Sequence, residues 1–219
     1  MHILPIASGK GGVGKSLIAA NVALALAKAG KRVIVADLDL GGSNLHLILG
    51  VRSGTGGIGT FLTDQSSELQ DVMVDTDYAN LQFLPGEGEI PGIANLTTAQ
   101  KRKLISRLKR LDADFLIMDL GAGTSFNVMD LFLMSPQGIV VTTPTPTATV
   151  NAYLCLKNAV FRLLNTSFKR QSAAAQVLQN LSKRAANLQR IYIPDLLEQI
   201  KAADPESHAT FVRNAQRLR

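Results

Sequence analysis

The sequence predicts an α/β fold: a doubly wound, mostly parallel sheet followed by a helical C-terminal segment. Two observations carry this prediction. Before residue 150, short apolar runs alternate with helical patterns, and this alternation is typical of parallel strands joined by crossover helices. From residue 151 to residue 190 the chain has no proline, glycine or acidic residue, and its pattern is that of basic helices. We therefore expect two domains, residues 1–150 and residues 151–219.

Five apolar runs supply the predicted strands. Each run is continuous, as expected of strands that are buried on both faces of a sheet. The third run is the weakest, and a Pro-Gly pair ends it. The runs cover residues 3–7, 32–37, 81–84, 114–120 and 138–143.

Helical patterns fill the intervals between these strands and the rest of the chain. Residues 16–29 are almost wholly apolar, which predicts a buried helix that ends at Gly30. Residues 99–111 place leucine and isoleucine on one face and six lysines and arginines around the rest, as in an amphipathic surface helix. Further helices are predicted over residues 152–165, 170–187 and 195–218, the last interrupted near Pro205, and no strand pattern follows Thr143 apart from residues 191–193.

The composition excludes several classes of protein. The chain has 219 residues, of which 46% are apolar and 18% charged, so it can bury a sizeable core and is not disordered throughout. Its single cysteine, Cys155, cannot form an internal disulfide or hold an iron–sulfur cluster within one chain, and it fits a reducing, cytoplasmic compartment. Residues 131–156 carry no charge and are long enough to span a bilayer, but their prolines and threonines favour a strand, a loop and a helix instead of one transmembrane helix.

The positive charge is concentrated in the last third of the chain. Residues 1–149 carry 12 Lys/Arg and 13 Asp/Glu, whereas residues 150–219 carry 11 and 4, which leaves a net charge of +7 there. Such a segment is compatible with DNA, an acidic membrane surface or an acidic protein as partner. The scarcity of aromatic residues and the lack of a long Lys/Arg block favour solvated helix faces instead.

A glycine-rich motif between the first strand and the first helix predicts a phosphate-binding loop. The segment GKGGVGKS at residues 9–16 matches G-x-x-x-x-G-K-[ST] in its expected strand–loop–helix context. In such a loop the backbone N–H groups surround phosphate oxygens, Lys15 neutralises the β- and γ-phosphates, and the Ser16 hydroxyl binds Mg²⁺. The predicted nucleotide-binding residues here are Gly9, Lys10, Gly11, Gly12, Val13, Gly14, Lys15, Ser16 and Leu17.

A lysine directly after the first glycine, Lys10, makes this a deviant P-loop, and with it the sequence resembles the MinD/ParA family of dimerising P-loop ATPases. The Gly-Ala-Gly, Thr-Thr-Pro-x-Pro-Thr and Leu-Pro-Gly motifs, the last followed by Asn95-Leu96, look most like the FlhG/FleN branch. The likeness covers about residues 1–160. It includes residues 37–45, which resemble the family's first switch, residues 115–123, which resemble its Walker B strand and second switch, and residues 141–147.

The resemblance implies roles for individual residues. Asp119 would hold Mg²⁺ through water, and Asp39 would orient the attacking water near the metal. Asp37 would lie farther from the metal; for Asp37 and Asp39 the alternative is helix capping or loop solvation. Asn44 would contact the γ-phosphate region, and the backbone of Gly121 to Gly123 would sense that phosphate. The implied catalytic residues are Lys10, Lys15 and Asp39, and the implied metal ligands are Ser16, Asp39 and Asp119.

The sequence departs from the family pattern at three places. Leu120 follows the Walker B aspartate where a small or hydroxyl residue is usual, and Asn151 replaces an aspartate. The strand that would read the adenine is not visible after residue 151, so we expect a chain that is shortened at its C-terminal end.

The resemblance implies an ATP-dependent switch that binds Mg²⁺ with ATP or ADP, hydrolyses ATP slowly and forms a homodimer with ATP. Such a protein would be cytoplasmic or peripheral at the inner membrane, and with an unidentified protein partner it would position or count structures such as flagella. Two alternatives stay open. One is a ParA-like ATPase that binds DNA through residues 101–110 or the basic tail, and the other is a nucleotide-binding scaffold with little hydrolysis.

Overall fold

The computed structural model describes residues 1–40, 42–52, 56–64, 66–86, 96–184 and 192–216, and of residues 182–184 the backbone alone. These residues form two compact units, Met1–Cys155 and Leu156–Arg219. The division into functional domains at residue 150 stays a prediction.

The first unit is built on a six-stranded sheet among the described residues, with strand order β3-β4-β2-β5-β1-β6. All neighbouring strands are parallel except β3 and β4, which are antiparallel. This arrangement confirms the predicted mostly parallel α/β sheet. The strands are β1 (His2–Ala7), β2 (Val33–Leu38), β3 (Val74–Asp75), β4 (Leu81–Leu84), β5 (Phe115–Leu120) and β6 (Ile139–Val140).

The helices of the first unit follow the strands in sequence. Helices α2, α3 and α5 have five to seven residues, too short for their periodicity to be recognised in the sequence. A 3₁₀ turn covers Leu69–Val72. The helices are α1 (Lys15–Lys28), α2 (Leu45–Leu49), α3 (Ile58–Thr63), α4 (Thr98–Leu108) and α5 (Phe126–Phe132), and α6 (Pro146–Ser167) begins here and continues into the second unit.

A stripe of alanines lets α1 lie close to the sheet. Ala19, Ala20, Ala23 and Ala27 are buried against valines, leucines and Phe83 of the sheet and of α2. Because alanine has only a methyl side chain, the helix axis approaches the strands closely and the start of α1 is held firmly. The loop before α1 is thereby fixed at the carboxyl edge of the sheet.

Strand register brings two acidic residues side by side at that edge. Asp37 of β2 lies opposite Asp119 of β5, and Asp119 also pairs in register with Ile6 of β1. Parallel strands present their carboxyl ends at the same edge, which is where ligands bind in open α/β sheets. The sheet therefore collects the phosphate-binding loop and both aspartates in one place.

The second unit has its own apolar core. Aromatic and leucine side chains of α6 pack with apolar residues of α7 (Ala173–Arg184), α8 (Ile193–Ala203) and α9 (Pro205–Gln216). The basic helices predicted at 152–165 and 170–187 correspond to α6 and α7, although α6 begins earlier, at Pro146. Ile193 belongs to helix α8 and not to an apolar strand, because Pro194 fits the first turn of a helix.

The strand predicted over 138–143 is shorter than expected, although Val141 still donates its N–H to the Ala7 carbonyl at 2.8 Å. None of the helices in the described ranges combines the length and the apolar character needed to cross a bilayer.

Candidate nucleotide site

The glycine-rich loop connects β1 to α1 and has the backbone conformation that its glycines allow. Gly12 and Gly14 have φ values of 76° and 89°, in the left-handed region that side chains disfavour. Helix α1 has no acidic residue in its first turn and no side-chain cap, so its first N–H groups are available to an anion. The loop is therefore shaped to bind phosphate.

Gly9 is required by close packing against α6. A Cβ placed on Gly9 would lie 2.0 Å from the backbone oxygen of Asn151, well inside van der Waals contact. The Asn151 side chain instead donates to the Thr147 carbonyl of its own helix, at 2.8 Å. At residue 151, where the family pattern has an aspartate, the backbone carbonyl lies against the phosphate-binding loop and the side chain does not.

Lys15 and Asp119 form a buried ion pair at the centre of the site. Lys15 Nζ lies 2.5 Å from Asp119 Oδ1, and the side chains are 7% and 1% exposed. A charged pair taken out of water is favourable only when the partners satisfy one another. The Lys15 ammonium is therefore the positive charge that a phosphate could bind in addition to Asp119, the neighbouring carboxylate.

Asp37 organises the first switch, here residues 37–40 and 42–45. Its carboxylate accepts hydrogen bonds from Ser43 Oγ at 2.6 Å, from Leu45 N at 3.0 Å and from Asp39 N at 3.1 Å. Burial, and secondarily the neighbouring Asp119, raises the pKa of Asp37 although these hydrogen bonds oppose the shift. The contacts agree with the capping alternative for Asp37, since Leu45 is the first residue of α2.

Asp39 lies against the beginning of the second switch, residues 121–123. Its Oδ1 is 3.2 Å from the point where a Cβ on Gly121 would stand, so any larger residue there would press on the carboxylate. Asn44 lies farther out and donates to the Gly42 carbonyl at 2.8 Å. The predicted contact between Asn44 and the γ-phosphate stays a prediction.

The second switch is also joined to the residue before the phosphate-binding loop. Gly123, with φ of 95°, donates its N–H to the Ser8 carbonyl at 2.9 Å. Ser8 is buried, and among the described residues its Oγ has no hydrogen-bond partner. Sequence reasoning missed Ser8, whose position directly before the motif was the available signal.

Several other predicted site residues are exposed to solvent. Lys10, Gly11 and Gly12 are exposed, as is Leu17, so Leu17 offers only its backbone to a ligand inside the loop. Val13 and Ser16 are half-buried. A Cβ on Gly11 or Gly12 would meet nothing within 4 Å, and the loop therefore has open space around it.

The oxygen donors at this edge fit Mg²⁺ bound together with a nucleotide. Ser16, Asp39 and Asp119 offer hydroxyl and carboxylate oxygens, the ligands that Mg²⁺ prefers. Within the described parts of the chain, no three His, Cys, Asp or Glu side chains converge to hold a metal by themselves. This donor set suits an ion that takes its other ligands from phosphate and water.

The part of the chain that contains this site is similar to a known protein family. The model of the family described as ParA, NUBPL iron-transfer P-loop NTPase, matches residues 1–158. The chain is 33% identical over 165 residues to the flagellum site-determining protein YlxH of Helicobacter pylori, covering 70% of this chain and 52% of that protein. It is 28% identical over 159 residues to the antiactivator FleN of Pseudomonas aeruginosa, covering 72% and 56%. The chain thus spans about half the length of these curated relatives.

Solved structures are similar over the same region. The septum site-determining protein MinD of Pyrococcus horikoshii, solved with Mg-ADP, superimposes with a TM-score of 0.59 at 30% identity. The superposition covers 72% of this chain and 65% of that one. Since the family model covers well over half of the sequence, the chain belongs to the ParA/MinD family of P-loop NTPases.

Proposed function

We propose that this chain is an ATP-dependent switch that binds Mg-ATP, hydrolyses it slowly and changes its association with partners accordingly. The observation that carries the proposal is the buried Lys15–Asp119 pair at the end of a glycine-rich loop, with Asp39 beside the second switch. The Mg-ADP in the MinD structure supports the choice of nucleotide and metal.

In the proposed reaction, Lys15 leaves Asp119 and binds the β- and γ-phosphates, whose negative charge replaces that of the carboxylate. Ser16 and Asp119 would hold Mg²⁺, and the ion would supply positive charge to offset the charge that develops on the phosphates. Asp39 orients the attacking water, and the Gly121 N–H binds the γ-phosphate, while the Gly123 N–H is held by the Ser8 carbonyl.

Slow turnover follows from the chemistry of Asp39. An aspartate carboxylate orients water well but is a weak base at neutral pH. The motifs contain no histidine that could accept the proton instead. We therefore expect a rate suited to a timer and not to a metabolic enzyme.

Binding and phosphate release measured on matched variants test this proposal. Lys15→Ala should abolish Mg-ATP binding, whereas Lys28→Ala, at the exposed end of the same helix, should bind as the parental protein does. Asp39→Ala should keep binding and lose turnover. Parental turnover in Asp39→Ala contradicts its role, and a parental protein that binds ATP without releasing phosphate favours the scaffold alternative.

The exposed apolar side chains of the nucleotide-binding unit support ATP-dependent homodimerisation. Leu17 and Ile18 of α1, Leu47 of α2 and Phe126 of α5 are all exposed although they are large and apolar. Where such side chains form one contiguous patch, a partner commonly covers it. Lys10, also exposed, would reach the partner's phosphates across such an interface.

A role in positioning or counting cellular structures is supported by two similar proteins of Helicobacter pylori, the flagellum site-determining protein YlxH and the septum site-determining protein MinD. The partner of this chain would be a protein that binds only one nucleotide state, in the cytoplasm or at the inner membrane. Affinity capture with ATP and with ADP identifies it, and a partner retained equally in both states would contradict a switch.

The DNA-binding alternative is less well supported at α4 than the sequence indicated. Lys101 bonds to α5, Lys103 donates to the Phe61 carbonyl at 2.8 Å, and Arg107 pairs with Glu68. Half of the expected basic face therefore has partners within the protein. A salt titration against random DNA tests the remaining basic tail, because phosphate contacts give a steep loss of affinity with salt.

A further inference from the structure

Helix α5 follows the second switch directly, and Lys101 of α4 holds it in place. Lys101 Nζ is bonded to Asp130 Oδ2 and lies 3.3 Å from Asn127 Oδ1. Asn127 and Asp130 are three residues apart and therefore share one face of α5. We call these three side chains the α4–α5 clamp.

The clamp is protected from water, unlike the other ion pair on α4. The Lys101 and Asp130 side chains are 13% and 11% exposed, whereas Arg107 and Glu68 are 38% and 47% exposed. Solvent and salt weaken exposed pairs much more than buried ones. The clamp thus fixes the distance between two helices, and the Arg107 pair provides a comparison on the same helix.

Local helix energetics do not favour a lysine at this position. Lys101 is the fourth residue of α4, close to the helix N-terminus, which a capping box of Thr97 and Gln100 holds. A cation near a helix N-terminus is opposed by the helix dipole. The contact with α5 accounts for the lysine at this site.

Helix α5 needs such support because it is short. It has seven residues, too few to be stable without tertiary contacts. Its start is capped by Ser125, only two residues after Gly123. The start of α5 is therefore joined by a short stretch of chain to Gly121, which lies beside Asp39, and to Gly123, which bonds to Ser8.

A cleft of about 160 Å³ is lined by residues of both switches and of α5. Asp39 and Gly121 line one part of it, and Asn127 and Val128 of α5 line another. The position of α5 therefore sets the width of the space in which Asp39 would orient water.

We propose that Lys101 is a positioning residue for ATP hydrolysis: through Asn127 and Asp130 it fixes α5 and so aligns the second switch with Asp39. This inference rests on the proposed ATPase function. The clamp residues lie outside the phosphate-binding loop, so their loss should alter the chemical step and leave nucleotide binding almost unchanged.

Turnover kinetics of Lys101→Met, Lys101→Arg and Arg107→Met test the inference. Lys101→Met should lower kcat at least about fivefold, with KM and the Mg-ADP affinity within about twofold of parental values. Lys101→Arg keeps the charge and should restore most of kcat, and Arg107→Met should match the parental protein. Equal rates for Lys101→Met and Arg107→Met, or a parallel loss of turnover and ADP affinity, would overturn the inference.

Hydrogen exchange over residues 121–132 gives a readout that does not depend on turnover. Exchange should rise in Lys101→Met and not in Arg107→Met. If the parental protein releases no phosphate, the proposed function fails. Unchanged hydrogen exchange in Lys101→Met refutes the clamp separately.

If Lys101→Met does not fold, Asp130→Asn provides a second test, because it keeps the side-chain shape and removes the charge. Parental kcat and parental exchange in Asp130→Asn would equally overturn the proposal.

Discussion

Replacing Lys15 by methionine should destabilise the nucleotide-free protein strongly, apart from any effect on binding. Methionine keeps most of the aliphatic volume but removes the ammonium that lies 2.5 Å from Asp119. Asp119 is 1% exposed and lies opposite buried Asp37 in the sheet register, so two carboxylates would face each other without Lys15. Loss of one partner of a buried pair costs about 3–5 kcal/mol, because the other charge stays buried.

A loss of that size corresponds to a fall in the midpoint of thermal unfolding of about 10 °C for a protein of this length. Arg32→Met is the control, since Arg32 and its partners Asp112 and Asp114 are exposed, and solvent weakens such pairs so much that the expected loss of stability is far smaller. Asp119→Asn added to Lys15→Met should recover most of the stability, because it removes the uncompensated charge.

Native-state hydrogen exchange of peptides from β2 and β5, without nucleotide, measures the effect in the first unit alone. Thermal unfolding followed by circular dichroism gives the shift for the whole chain. If Lys15→Met is no less stable than Arg32→Met, or if Asp119→Asn does not rescue it, the buried pair does not hold the site together.

Two other perturbations test the loop and the first switch. Gly9→Ala should lower Mg-ATP affinity at least about tenfold, because its Cβ would lie 2.0 Å from the Asn151 carbonyl oxygen and the loop must shift by about 1 Å. Equilibrium dialysis measures this affinity. The control is Asn151→Ala, which keeps the backbone carbonyl and should bind Mg-ATP as the parental protein does. Burial raises the pKa of Asp37, so the folded protein retains a proton that the unfolded chain releases near pH ~4. As pH rises from about 4 to the pKa of Asp37 in the folded protein, the free energy of unfolding of the parental protein should fall relative to that of Asp37→Asn. Urea unfolding of both proteins between pH 4 and 8 measures this difference. A parental free energy of unfolding that rises with pH relative to the variant would contradict the prediction.

The sequence predicted those features of the fold that depend on local signals. Continuous apolar runs located β1, β2, β4 and β5 to within about two residues, and the alanine-rich pattern and Gly30 located α1. The phosphate-binding loop was recognisable because its glycines and Lys15 have a fixed spacing. These signals are local because they arise from the chain's own conformational preferences.

The parts that sequence reasoning missed depend on contacts between distant segments. The clamp joins Lys101 to Asp130 across 29 residues, and no local pattern distinguishes Lys101 from the other lysines and arginines of α4. The contacts of Asp37 depend on how the first switch turns back on β2, which a pattern of residue types does not encode. Helix α5 is too short to show a helical period, although it decides where the second switch lies.

Sedimentation equilibrium of Asp39→Ala in ATP and in ADP tests the proposed switch most directly, since this variant should hold ATP without consuming it. We expect a dimer with Mg-ATP and a monomer with Mg-ADP, because only the γ-phosphate offers Lys10 an additional contact across the interface. Lys10→Ala added to this variant should lose the dimer while it still binds ATP. An unchanged mass in ATP, or a dimer that forms equally well without Lys10, would contradict the account.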